Sequence, residues 1–283
     1  MITSAPKTVH YLNEANEMIN ALVSRMSPHP TLVTEGPVFL GVDIGTANVV
    51  SVVVNKDGVP VAGEISSAHV VKEGMIVNYF EAVSIVKNHI QSLCQRLGTK
   101  LTIGATAIPP GTEAGNAKVT RNILESADLE VKRIIDEPTA ASLVLGFQEG
   151  VVVDVGGGTT GISVLENGKV IYAVDEPTGG FQFDLVIAGN FKISTEEAEN
   201  MKCDQERQKL LFPIVRPVME KIAYIIRRCL AGYRANALYF VGGTSSFPGF
   251  THLIEQEVGI PTYLPNVPLM VTPLGIALSC REG

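Results

Sequence analysis

Tryptophan is absent from the 283-residue chain and aromatic residues make up only 6% of it, so a core must come mostly from Val, Ile, Leu and Ala. Charged residues are also sparse, at 18% against 46% hydrophobic, which fits a globular chain and not a disordered one. Positive charge is short: the formal net charge is −7. A non-specific nucleic-acid binder needs a basic footprint, so no nucleic-acid partner is expected. A nucleotide site stays open, because backbone N–H groups and a metal can hold phosphates. The four cysteines, Cys94, Cys203, Cys229 and Cys280, make no Cys-x-x-Cys pair, and the five histidines show no ligand spacing. Neither a zinc site nor a disulfide framework is expected, and the simple reading is a reducing cytoplasm. The most apolar stretch, 38–54, is interrupted by Asp43, Thr46 and Asn48, so no membrane span is expected. The N-terminus lacks the basic start and apolar core of a signal peptide.

What the chain does have is a repeat. Residues 40–46 and 151–157 align at an offset of 111, with Val42/Val153, Asp43/Asp154 and Gly45/Gly156 identical. Each copy opens a strand–turn–strand pattern. Strands are expected at 39–43, 49–54 and 59–62, and again at 151–155, 161–165 and 169–174. The last turns in each set are Lys56-Asp57-Gly58 and Glu166-Asn167-Gly168. Further strands are expected at 101–107, 131–135 and 238–241. Helices are expected at 79–97, 117–126, 139–145, 183–188, 195–202, 248–257 and 273–279. A longer helix, 212–230, starts near Pro213, and Pro217 should delay or kink it. Residues 1–36 stand apart. Leu12, Ala15, Ile19, Leu22 and Met26 form one helical face, ended by Ser27-Pro28-His29-Pro30. That helix either docks on its own domain or binds a partner.

A strand ending in Asp-x-Gly places a carboxylate at a sheet terminus, and the glycine lets another group approach the backbone. One copy is an ordinary tight turn with a capping aspartate. Two copies in a repeated hairpin point to two loops that clamp one polyphosphate. Thr46 follows the first, and Gly157-Gly158-Thr159-Thr160 the second, exposing N–H donors. Asp43 and Asp154 beside a polyphosphate need a cation between them. Magnesium fits, since it takes oxygen ligands and keeps waters. Gly242-Gly243 after a strand admits a flat group such as adenine or ribose, although the same residues also suit a strand-to-helix turn in which Ser245 or Ser246 caps. In Asp136-Glu137-Pro138, the acids either favour a helix N-terminus or let Glu137 orient water for phosphoryl transfer.

These residues resemble a known superfamily, that of actin, the large heat-shock chaperone ATPases and the sugar kinases. Val42-Asp43-Ile44-Gly45-Thr46 resembles its first phosphate motif, and Asp154-Val155-Gly156-Gly157-Gly158-Thr159-Thr160 its second. Val241-Gly242-Gly243-Thr244-Ser245 is similar to its adenosine motif. Asp136-Glu137-Pro138-Thr139-Ala140-Ala141 and Thr272-Pro273-Leu274-Gly275-Ile276-Ala277 are similar to its two connecting segments. Lys72-Glu73-Gly74-Met75-Ile76 and Gly179-Gly180-Phe181-Gln182-Phe183-Asp184 look like the bacterial actin-like branch, within which the chain resembles the chaperone-like proteins of ethanolamine utilisation.

The resemblance implies an α/β, actin-like (ribonuclease H-like) fold: two related lobes, each with a mixed five-stranded sheet flanked by helices, and a nucleotide cleft between them. The implied division is a helical extension and linker at 1–36, a first lobe at 37–149 plus 265–283, and a second at 150–264 with a reduced extra subdomain. It implies ATP or ADP with Mg2+. Asp43, Asp154 and Glu137 would hold the metal mostly through water, and the same three would serve catalysis. Gly45, Thr46, Ala47, Asn48, Gly156, Gly157, Gly158, Thr159, Thr160, Gly179, Gly180, Gly242, Gly243, Thr244 and Ser245 would bind the nucleotide.

The chaperone branch carries an acid where this chain has Gly161, and an adenine-stacking arginine where it has Ser246, so slow hydrolysis is the expectation. With no further domain after Gly283, an ordinary peptide-chaperone cycle is not expected. The implied role is a chaperone or reactivating factor, cytoplasmic or associated with a bacterial microcompartment. Its implied partner is an ethanolamine-degrading enzyme or a shell component. A filament-forming or adaptor actin homologue that self-associates, and a non-hydrolysing nucleotide sensor, are the alternatives. A small-molecule kinase fits poorly, because 109–118 offers only Glu113 as a catalytic acid.

Overall fold

β-Branched residues dominate the two repeated stretches, and each stretch becomes the central strand of a five-stranded sheet. Central strands covered on both faces read as continuous apolar runs, which is why neither alternates. The structure is a computed structural model that describes residues 7–31, 35–72, 74–111 and 114–281. Glu73 and Glu113 lie outside the described residues.

Helix α1 (Lys7–Val23) precedes β1 (Val38–Ile44), β2 (Asn48–Asn55) and β3 (Pro60–Ser67), which pair antiparallel. A small hairpin, β4 (Val71–Lys72) with β5 (Met75–Ile76), leads to α2 (Tyr79–Leu97), β6 (Ile103–Ile108), α3 (Ala114–Ser126) and β7 (Glu130–Asp136). β6 and β7 add in parallel, giving the order β3-β2-β1-β6-β7. Helix α4 (Glu137–Leu145) crosses to β8 (Gly150–Val155), β9 (Thr160–Glu166) and β10 (Lys169–Glu176). Then come α5 (Gly180–Phe191), α6 (Thr195–Cys203), α7 (Gln205–Cys229), β11 (Leu238–Val241), α8 (Phe250–Val258) and β12 (Thr262–Tyr263). The second sheet has the order β10-β9-β8-β11-β12, the same topology as the first. Helix α9 (Val271–Arg281) ends the described chain.

Helix α2 runs over the expected residues, with Asn78 accepting from the Glu81 amide at its start and Gly98 left-handed at its end. Helix α7 departs from expectation. It starts at Gln205, capped by Asp204, and carries both Pro213 and Pro217 inside it. Packing outweighs the proline cost, because Leu211, Val215, Met219, Ile222 and Ile226 bury one continuous face. The short β4, β5 and β12 escaped the sequence reading, since two residues carry no periodicity.

Helix α1 docks on its own chain. Ala15, Ile19, Leu22 and Met26 join a core with Val50 and Val52 of β2, Leu145 of α4 and Val152 of β8. Its end is pinned by Arg96, which donates to the carbonyls of Arg25, His29 and Gly63 and to Glu64 Oε1 at 2.7–2.9 Å.

Helix α9 lies between β1 and α4 and touches both without space for side chains. A Cβ at Gly41 would fall 2.3 Å from the Ala277 nitrogen. A Cβ at Gly275 would fall 1.9 Å from the Ala140 carbonyl oxygen of α4. Backbone cannot yield as a side chain can, so α4 and α9 would have to part. Gly275→Ala is therefore expected to destabilise the protein by about 2 kcal/mol or more. Urea unfolding with an unchanged midpoint would contradict this packing.

Candidate functional site

The two repeated turns fold alike. The Gly45 amide donates to the Asn48 carbonyl at 2.9 Å, and the Gly156 amide to the Thr159 carbonyl at 3.0 Å. Between them, the amides of Thr46, Ala47, Gly157 and Gly158 donate to no protein acceptor among the described residues. Such loops present several free N–H groups to an anion. The loops also face each other closely. A Cβ on Gly157 would lie 3.2 Å from Ala47 Cβ, and one on Gly158 would lie 3.3 Å from Thr46 Oγ1.

A crevice of about 810 Å³ opens beside them, within the range of small-molecule and cofactor sites. Asp43, Gly45, Thr46, Ala47, Asn48 and Glu137 line it from one side of the repeat. Asp154, Gly156, Gly157, Gly158, Thr159, Gly242, Gly243 and Thr244 line it from the other. The structure thus brings together residues from all three glycine motifs and from the Asp136-Glu137-Pro138 segment.

Four residues expected to contact a nucleotide lie off the wall. Thr160 is buried and donates to the Thr178 carbonyl at 2.6 Å. Ser245 is buried and donates to the Val241 carbonyl at 2.6 Å. Gly179 and Gly180 sit behind the second loop. A Cβ on Gly179 would lie 2.7 Å from the Gly156 oxygen and 2.8 Å from the Thr159 nitrogen, and the Gly180 amide donates to Gly156 at 2.9 Å. These glycines let α5 support the loop from beneath. Gly242 is required twice over. Its φ is +82°, and a Cβ there would fall 2.3 Å from Asp154 Oδ1. Thr244 then ties the third motif to the second, donating to the Gly156 carbonyl at 2.8 Å.

The carboxyl groups dominate the electrostatics. Asp43, Glu137 and Asp154 are half-buried and line the crevice. Burial, and then the charge of Asp154, push Asp43 up to about 7. Burial and then the charge of Asp175 push Asp154 up to about 6. Glu137 is raised well above its ordinary value by burial, then by Asp154, Asp43, Asp175 and Asp136. Asp136 itself caps α4, accepting from the Thr139 amide at 2.9 Å and its hydroxyl at 2.8 Å.

Among the described residues, no three His, Cys, Asp or Glu side chains gather closely enough to ligate one metal ion directly. A set of hard, mutually repelling oxygens at this spacing fits a hydrated divalent cation such as Mg2+, bound through its own waters. Sequence reading missed Asp175 and Lys202, and quoted Asp184 and Thr272 as motif members without giving them a role; Lys202 Nζ lies 2.7 Å from Asp184 Oδ1. Asp175 and Lys202 look like plain strand and helix residues, and only the fold brings them to the crevice.

A pH test follows. Below about pH 3 Asp43 is protonated whether folded or unfolded, so its burial costs nothing. As pH rises, the unfolded chain loses that proton first, and the native state is penalised until the folded group also ionises near 7. In metal-free buffer, Asp43→Asn should be neutral near about pH 3 and stabilising by about 1–3 kcal/mol near pH 8, moderated by water in the crevice. Urea denaturation across that range checks it; a pH-independent difference would contradict the burial of this acid.

Similarity to known proteins agrees with this geometry. A family model described as MreB/Mbl protein matches residues 60–206, and one described as type IV pilus assembly protein PilM matches 146–272. Ethanolamine utilization protein EutJ of Escherichia coli (strain K12) is 44% identical over 250 residues, covering 88% of each chain. The crystal structure of EutJ from Carboxydothermus hydrogenoformans superposes with a TM-score of 0.90 at 42% identity, covering 94% of this chain and 98% of that one. MreB5 of Spiroplasma citri, bound to AMPPNP, has a TM-score of 0.70 at 17% identity over 86% of this chain and 95% of its own, which speaks to the fold alone. Among the described residues, no helix is long and apolar enough to cross a membrane. With that identity over that much of both sequences, the chain belongs to the EutJ family of ethanolamine utilization proteins, within the actin-like ATPase superfamily.

Proposed function

We propose that this protein binds ATP and ADP with Mg2+ in the crevice, hydrolyses ATP slowly, and acts as a nucleotide-switched chaperone or reactivating factor in ethanolamine utilisation. The observation that carries the nucleotide reading is the pair of matching loops, with free amides, facing each other over three carboxyl groups. The AMPPNP seen in the MreB5 structure supports it by analogy of fold.

In this reading the amides of Thr46, Ala47, Gly157 and Gly158 hold phosphate oxygens from two sides. Asp43 and Asp154 would hold waters of the cation, whose positive charge would offset their mutual repulsion. The cation, when bound, supplies the charge that offsets phosphate and carboxylate together. Glu137 accepts the proton of the attacking water; a raised affinity for protons suits a general base when the cation's field returns it to the ionised form. Gly242 and Gly243 admit the nucleoside. With Gly161 and Ser246 where the chaperone branch has an acid and an arginine, turnover is slow.

The output is a hinge movement. The lobes 37–149 with 265–283, and 150–264, close about α4 and α9, and closure changes a surface read by a protein partner. That partner is an ethanolamine-degrading enzyme or a microcompartment component.

Calorimetric titration of ADP and ATP, with Mg2+ and with chelator, tests the site. Asp154→Ala should lose at least about 10-fold in magnesium-dependent affinity. Glu137→Ala should keep its affinity and lose about 100-fold in phosphate release. Wild-type affinity in the first variant, or equal loss of binding and turnover in the second, would contradict these roles.

A further inference from the structure

Asp154, Gly161 and Asp175 stand in one row across three strands. Asp154 of β8 pairs with Gly161 of β9, and Gly161 pairs with Asp175 of β10. Residues directly opposed in antiparallel strands present their side chains on the same face. Asp154 and Asp175 therefore share a face, two strand spacings or about 9–10 Å apart at the backbone. Between them is a residue without a side chain.

Nothing local requires glycine at 161. Its φ lies outside the left-handed region. A Cβ there would meet Asp175 Oδ1 at 3.8 Å and Asp154 Cβ at 3.9 Å, which is ordinary contact. What the glycine does is leave a gap, and the Asp175 carboxylate is the nearest group to it. Both Gly161 and Asp175 line the crevice. Thr159, in the second loop, lies near enough to offset part of the effect of burial on the Asp175 carboxyl. One carboxylate thus reaches both the open space beside Asp154 and the loop that faces Thr46.

We infer that Asp175 is a positioning residue of the site, accepting hydrogen bonds from the cation's hydration shell through the gap at Gly161. This rests on the nucleotide reading above. The strand pairing supplies an acid from β10 to a place that β9 leaves empty, and the distance from Asp154 suits contact through water.

The test is calorimetric binding of ADP to the full chain at increasing Mg2+, and again in chelator, for wild type, Asp175→Asn and the double variant Gly161→Asp/Asp175→Asn. Asp175→Asn should raise the Mg2+ concentration needed for half-saturation by about 10-fold, the usual scale for loss of an outer-shell partner. Its metal-free ADP affinity and its unfolding midpoint at neutral pH should not fall, since a buried acid is neutralised. The double variant places a carboxylate in the same gap from the paired strand, and should recover most of the magnesium response.

Each contrary result points to a different failure. If wild type binds MgADP and Asp175→Asn responds to Mg2+ as wild type does, the inference falls and the nucleotide reading stands. An equal loss with and without Mg2+ overturns it in favour of a structural role. A magnesium defect that the double variant does not recover overturns the gap argument. If wild type binds no MgADP, the nucleotide reading falls and takes the inference with it.

Discussion

Three carboxyl groups that repel one another, Asp43, Glu137 and Asp154, line one crevice, and the surrounding architecture holds them there. Each comes from a strand end or the helix start that follows one: Asp43 from β1, Asp154 from β8, Glu137 from the β7–α4 junction. Proteins rarely keep such groups together without a countercharge, because burial and like charge both oppose ionisation. Protons held by these raised acids relieve part of the repulsion, and a bound cation would relieve the rest. In the proposed reading that cation arrives with phosphates.

Glycine is the second theme, and in most places it acts through space and not through φ. Gly41 and Gly275 let α9 lie directly on β1 and α4. Gly179 lets α5 lie directly under the second loop. Gly242 lets the third motif come within contact of Asp154. These close approaches support the loop backbones where they face the crevice, and they set α4 directly against α9. Helix α1 adds to the same region by burying Ile19 and Leu22 in a core shared with α4 and β8.

Much of this was legible in the sequence. The 111-residue offset announced two like sheets, and the shared order of the strands bears it out. The Asp-x-Gly pairs named the loops, and the loops do face each other. The limits have physical causes. Pro213 and Pro217 read as a helix boundary, but tertiary burial of Leu211 and Val215 carried α7 through them. Thr160, Gly179, Gly180 and Ser245 belong to the right motifs yet serve the loops from behind, which no motif string distinguishes. Asp175 reaches Asp154 only through two rows of strand pairing, and an irregularity between Val170 and Tyr172 shifts the β9–β10 register away from what the turn alone would give.

The most direct measurement is a crystal structure of the protein with Mg2+ and a slowly hydrolysed ATP analogue. The account predicts the phosphates between Gly45–Asn48 and Gly156–Thr159, with the ion's waters on Asp43 and Asp154 and the base against Gly242 and Gly243. A nucleotide bound elsewhere, or a crevice that stays empty at saturating ligand, would contradict it.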